Sequence, residues 1–345
     1  MADDEGVVAP SPWPELLPWQ RTAATEALTA RASWPHALLI SGPRGIGKRT
    51  LALNFARSLL CEAPRTDGLA CGACASCRYV AAGQHPDLQL VEPFTIDDDG
   101  EVKPLDAIPV DRIRALIRWA LITSHRRRAK VAVIVPAEAM NAEAANALLK
   151  TLEEPPQDTY LLLVSHQPGR VPATLRSRCR RFAAPGADAG VAQRWLADQG
   201  VAAPATVLAQ AGGAPLLALA MADPAWQAER AAWLQALAKP RTLSAVALAA
   251  RLDTGPKDER KQRLGLAIDW LGAWTADLAR VAAGGAPLRN PDFAAALAAL
   301  APVVAPIPLF RYHQSLSRQR TLVVHPLQPR LVAEALLIGY RELYR

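Results

Sequence analysis

The stretch "HALLISGPRGIGK", from His36 to Lys48, constrains the fold more than any other. Its first half is an apolar run of strand length. Its second half sets Gly42, Gly45 and Gly47 ahead of a lysine and a helical pattern. A buried strand that ends in a glycine-rich turn and feeds a helix aims backbone N–H groups into that turn, where they can cradle phosphate oxygens while Lys48 reaches the outer ones. Such a strand needs neighbours. Three more apolar runs, "DLQLVEP" (Asp87 to Pro93), "KVAVIV" (Lys130 to Val135) and "YLLLVS" (Tyr160 to Ser165), each precede a turn or loop and are separated by helical patterns. Near-continuous apolar strands alternating with helices predict a parallel sheet covered on both faces. "RCRRF" (Arg178 to Phe182) is expected as a fifth, edge strand, with Arg176, Arg178 and Arg180 alternating along its entry.

Between the last two apolar runs, "NAEAANALLKTLEEPP" predicts a helix. It is capped by Asn141 and stopped by Pro155 and Pro156, with Ala144, Leu148 and Leu152 on one face. After "AAPGADAG" (Ala183 to Gly190) the strand signal ends and Ala-rich helical patterns take over. We therefore expect an α/β domain over 1–185, a small helical domain over 186–223 and, past a break near Ala222 to Pro224, a helical domain over 224–345. Leu264, Ile268, Leu271, Trp274, Leu278 and Val281 recur at spacings of three and four, which predicts one long amphipathic helix. "LVAEALLIGYRELYR" at the C-terminus predicts another. With 345 residues, 51% of them hydrophobic, the chain can build two or three cores.

The N-terminus begins acidic and lacks the pattern of a signal peptide. No apolar run provides the roughly 20 residues that a bilayer needs. A cytoplasmic protein without a membrane partner is expected. The net charge of +7 suits nucleic acid, an acidic protein or a plain soluble surface alike.

Two departures bear on the chemistry of the glycine-rich turn. After G-x-x-x-x-G-K a Ser or Thr should ligate magnesium, but Arg49 stands there and Thr50 follows, about 100° further round a helix. "KVAVIV" should end in an acid that shares the ion; it ends in Val135 and Pro136, with Glu138 beyond. Phosphoryl transfer depends on that magnesium ion. Hydrolysis of ATP by this chain is therefore not expected, while vestigial nucleotide binding through Gly42, Gly45, Gly47, Lys48 and Thr50 stays open.

Cys61, Cys71, Cys74 and Cys77 are spaced C-x9-C-x2-C-x2-C. Four thiolates so close together in a reducing compartment fit a tetrahedral structural zinc site over 61–77 better than disulfides. An iron–sulfur cluster is the competing reading, but the downstream Cys-Pro of ferredoxins is missing. Cys179 stands apart and reads as a small buried residue. "HRRRAK" (His125 to Lys130) could meet DNA phosphates, yet no aromatic residues interleave, so a charged surface turn is expected. His36, His85 and His325 have no acid or nucleophile at a telling spacing, and no catalysis is assigned to them.

The glycine-rich turn running into a four-cysteine insert, then "HPDL" (His85 to Leu88), "NALLKTLEEPP" (Asn146 to Pro156) and "SRC" (Ser177 to Cys179), resembles the bacterial clamp-loader subunits of DNA polymerase III. The resemblance covers residues 1–185; the remainder matches only in being helical. It implies an AAA+ P-loop module with a zinc insert, followed by an all-α lid and an all-α C-terminal collar that builds a five-membered ring. It also implies zinc on Cys61, Cys71, Cys74 and Cys77. The family has an ATP-hydrolysing motor branch, tau/gamma, and a non-hydrolysing delta-prime branch. Arg49, Val135 and Pro136 point to the latter. The family's arginine finger, which acts in trans on a neighbour's ATP, carries over to Arg178, whereas Lys48 and the loop glycines match in form only. The implied partners are tau/gamma and delta, with the sliding clamp and primed DNA reached through the complex. Any polymerase activity would belong to that holoenzyme. Two alternatives remain: a motor that uses Thr50 and Glu138, or a zinc-stabilised DNA-binding protein on a decayed AAA+ fold.

Overall fold

The computed structural model describes residues 13–30, 34–96, 102–126, 128–322 and 328–345. Arg127, His325 and the acidic start of the chain lie outside them. The chain divides into two compact units, Met1–Val191 and Ala192–Arg345.

In the first unit, α1 (Arg21–Thr29) leads to β1 (Ala37–Ser41) and α2 (Lys48–Leu60), followed by α3 (Ala75–Ala81) and β2 (Leu88–Val91). A short antiparallel pair comes next, β3 (Phe94–Ile96) and β4 (Val102–Pro104), and then α4 (Val110–Leu121), β5 (Lys130–Ile134) and α5 (Ala142–Glu153). The unit closes with β6 (Thr159–Ser165), α6 (Ala173–Arg176) and β7 (Arg180–Ala183). The main sheet runs in the order β2-β5-β6-β1-β7, and every pairing in it is parallel.

Successive side chains of a strand face opposite ways, and here both faces are buried. Leu38 and Ile40 of β1, Val131 and Val133 of β5, and Leu162 and Val164 of β6 pack in one layer with Leu51, Phe55 and Leu59 of α2. Leu39, Ala132, Ile134, Leu161 and Leu163 pack in the other with Ile113 and Leu116 of α4 and Leu148 and Leu152 of α5. This two-sided burial is why the strand sequences are apolar without alternation. Asn141 caps α5 through Oδ1, which accepts the Ala144 N–H at 2.8 Å.

Two features differ from expectation. The β3–β4 pair has no strong sequence signal, because strands of three residues carry almost no periodicity. The edge strand starts at Arg180 rather than Arg178. Turn hydrogen bonds from Ser177 N to Ala173 O and from Arg178 N to Leu175 O extend the end of α6, and pairing with β1 begins only at Leu38 and Arg180. Arg176, Arg178 and Arg180 therefore sit on a helix end, a turn and a strand instead of alternating along one strand.

The second unit is helical among the described residues. Its helices are α7 (Ala189–Asp198), within which the division falls, α8 (Pro204–Gln210), α9 (Pro215–Met221), α10 (Pro224–Leu237) and α11 (Ala245–Ala249). They continue with α12 (Lys257–Ala282), α13 (Ala294–Leu300), α14 (Pro306–Leu322) and α15 (Pro329–Glu342). The spaced apolar residues from Leu264 to Val281 lie on α12, and the C-terminal pattern is α15. Asp223 caps α10 by accepting the Trp226 N–H at 2.8 Å, which accounts for the break near Ala222 to Pro224. No single helix among the described residues is long and apolar enough to cross a membrane.

Trp233, Trp274 and Tyr340 are fully buried in this unit's core. The Tyr340 hydroxyl accepts the Trp274 Nε1–H at 2.8 Å and donates to the Leu237 carbonyl at 2.9 Å, joining α10, α12 and α15. Tyr340→Phe leaves both partners unsatisfied in an apolar core, so unfolding free energy should fall by about 2 kcal/mol. Urea denaturation of the whole chain measures this, and an unchanged midpoint would refute the assigned role.

Candidate functional site

Strands β1, β5 and β6 end at one edge of the sheet, and the glycine-rich turn leaves from there. Gly45 and Gly47 take left-handed φ values of 82° and 90°. A Cβ on Gly47 would collide with the side chains of Leu17 and Gln20, so this position admits only glycine. Gln20 Nε2 donates to the carbonyls of Ile46 (3.2 Å) and Gly47 (2.8 Å), and Trp19 Nε1 donates to Ile46 O at 3.0 Å. The segment before α1 thus fixes the loop from its carbonyl side.

Lys48, the first residue of α2, is 2% exposed and its Nζ donates to the carbonyl of Pro43 within its own loop. Burial lowers its pKa to about 8; nearby Glu138 works against that shift and Arg44 adds to it. Glu138 lies in a 3-10 turn, Ala137–Ala139, just past the strand end. Its Oε1 accepts the backbone N–H groups of His166 (2.8 Å) and Gln167 (3.1 Å) after β6. Burial also lowers the pKa of His166. Thr50 is buried on α2, and its carbonyl accepts the Asn54 amide at 2.9 Å.

Arg49 occupies the place of the expected magnesium ligand and is engaged elsewhere. Its Nε and Nη2 meet Oε1 and Oε2 of Glu92 at 2.7 and 2.9 Å, a bidentate pair at the end of β2. Arg112 Nη1 donates to the Glu92 carbonyl at 2.9 Å. Glu92 is not singled out by the sequence, where it stands within the apolar run "DLQLVEP". An acid at a strand's carboxyl end opposite an unexplained arginine was the available signal.

The four cysteines converge. Cys61 ends α2, Cys74 and Cys77 bracket the start of α3, and all four sulfurs lie within 4.8 Å of one another. Cys61 Sγ and Cys74 Sγ are 3.9 Å apart, and Cys71 Sγ and Cys77 Sγ 4.0 Å. A tetrahedron with metal–sulfur bonds of about 2.3 Å has edges of about 3.8 Å, so the set fits a metal ion. Backbone N–H groups of Ala73 and Cys74 point at Cys71 Sγ and lower its pKa to about 6, whereas burial pushes the Cys61 and Cys77 thiols up. When bound, such an ion cross-links the segment from α2 to α3. The fifth cysteine, Cys179, is buried as expected.

The "HRRRAK" turn is tied to this module. Buried Asp87 accepts the backbone N–H groups of His125 (2.9 Å) and Arg126 (3.1 Å). Arg126 Nε donates to Glu62 Oε1 at 2.6 Å, and Arg128 Nη1 to the Cys61 carbonyl at 3.1 Å. His85 packs against Ser76 Oγ at 3.2 Å, which gives it a structural setting. Arg178 stands in the turn after α6, its guanidinium on Glu153 and on the Thr174 carbonyl.

The family described as "DNA polymerase III, delta subunit" matches residues 22–186. The DNA polymerase III subunit delta' of Pseudomonas aeruginosa is 40% identical over 272 residues, covering 77% of this chain and 78% of that protein. The subunit delta' of Escherichia coli K12 is 37% identical over 210 residues, 59% of each chain. Subunit tau of the same organism is 37% identical over 147 residues, 43% of this chain and 21% of tau.

Removal of the metal should loosen the segment around the cysteines. Elemental analysis is expected to return about one ion per chain. Cys74→Ser or strong chelation should lower the thermal midpoint and speed proteolysis between Cys61 and Ala81. A metal-free wild-type protein with an unchanged midpoint would rule out a structural ion. With 40% identity across 77% of its own length and 78% of the Pseudomonas protein, the chain belongs to the DNA polymerase III subunit delta' family.

Proposed function

We propose that the chain is the non-hydrolysing stator of a clamp-loader ring and supplies Arg178 to ATP held by a neighbouring motor subunit. The observation that carries this reading is the Arg49–Glu92 pair. It fills the magnesium-ligand position with a committed cation, while β5 ends in Val135 and Pro136 instead of an acid. Glu138, an acid just past β5, has Oε1 turned to the backbone after β6. That placement speaks against a motor built on Thr50 and Glu138. The engaged His125–Arg126 turn likewise speaks against a stand-alone DNA-binding role.

In this reading Gly42, Gly45, Gly47, Lys48 and Thr50 keep the form of a nucleotide loop without its turnover. Cys61, Cys71, Cys74 and Cys77 hold structural zinc. Residues 186–223 act as lid and 224–345 as collar. Tau/gamma and delta are the ring partners, and the sliding clamp and primed DNA are engaged through the cytoplasmic complex. A guanidinium offered in trans offsets charge that develops on the transferring phosphoryl group, so the chemistry occurs in the neighbour's site.

The purified chain should show no steady-state ATP turnover, and Lys48→Ala should change nothing. Robust turnover lost in Lys48→Ala would sink the reading. In a ring reconstituted with tau/gamma and delta, Arg178→Ala should leave assembly intact and slow DNA-stimulated hydrolysis by roughly tenfold or more. Unchanged hydrolysis would refute the finger. The metal is expected to be colourless zinc; visible absorbance from iron would correct that part alone.

A further inference from the structure

We propose that Glu153 is the positioning residue for Arg178, holding its guanidinium ready for the neighbouring subunit's nucleotide; this rests on the reading of Arg178 as a finger acting in trans. Glu153 is the last residue of α5, and Arg178 lies in the turn that follows α6. Glu153 Oε1 accepts from Arg178 Nε at 2.7 Å and also from Nη2. The Thr174 carbonyl accepts from Nη1 at 2.9 Å, and Ser177 Oγ sits at the long limit of 3.5 Å. A guanidinium has five N–H donors. With Nε and one N–H of Nη2 on Glu153, the second N–H of Nη2 is left as a donor for an anion.

Two physical points separate positioning from simple stability. The pair is partly solvated, the Arg178 side chain 33% and the Glu153 side chain 49% accessible, and such surface pairs add little to folding. A carboxylate on the final residue of a helix also opposes the macrodipole, so α5 gains nothing from an acid there. What the contact does achieve is orientation. An unrestrained arginine at the surface samples many rotamers, and each must be given up when it docks on phosphate. Glu153 and Thr174 remove that freedom in advance, from two different elements.

The test uses the reconstituted ring with tau/gamma and delta, comparing Glu153→Ala, Glu153→Gln, Arg178→Ala and the Glu153→Ala/Arg178→Ala double variant. Glu153→Ala should lower kcat for DNA-stimulated ATP hydrolysis by about three- to tenfold, with KM for ATP, ring assembly and thermal midpoint unchanged. Glu153→Gln keeps a carbonyl acceptor and should recover most of the rate. In the Arg178→Ala background Glu153→Ala should add nothing, because the two act as a unit. A strong Arg178→Ala defect beside an unaffected or faster Glu153→Ala ring overturns this proposal and leaves the finger standing. An additive loss in the double variant overturns it too. An unchanged Arg178→Ala rate overturns both.

Discussion

Burial of β1, β5 and β6 on both faces is the constraint on which the first unit depends. With α2 covering one side and α4 and α5 the other, the strands run parallel and end together. That shared edge receives Lys48 from the turn after β1, Glu138 from the turn after β5, and His166 from the end of β6. Residues far apart in sequence thus form one charged cluster, and its electrostatics follow from its depth. Lys48, buried and bonded to its own loop, carries a depressed pKa although Glu138 is nearby.

At the same edge, Arg49 and Glu92 illustrate how a single ion pair can redirect a site. The helix that begins at Lys48 presents successive side chains about 100° apart, so the residue after the lysine looks toward the end of β2. Glu92 waits there and grips Arg49 with both carboxylate oxygens. The departure from the usual loop is therefore accompanied by a specific partner, as expected of a feature integrated in the fold.

The cysteine module is anchored by a second buried acid. Asp87, just before β2, binds the backbone of His125 and Arg126, and the Arg126 side chain reaches back to Glu62 and lies over the Tyr79 ring. Strand, basic turn and cysteine cluster become one assembly. Arg126 is thereby engaged within the module, a pairing that composition does not reveal.

The sequence by itself determined β1, β5 and β6, because two-sided burial demands uninterrupted apolar residues, and α5, because Asn141 and the two prolines mark its ends. It also determined the four-cysteine cluster, whose members lie close in the chain, and set Arg49 and Val135–Pro136 at the places where magnesium ligands are expected. Tertiary structure alone decided the partners. Nothing local pairs Arg49 with Glu92 or Arg178 with Glu153, since 43 and 25 residues separate them. Nor does periodicity locate where β7 begins, because hydrogen bonding of α6 with its turn, rather than the arginine pattern, sets that point. Local patterns encode which side chains must be buried; which charges meet depends on how the buried elements stack.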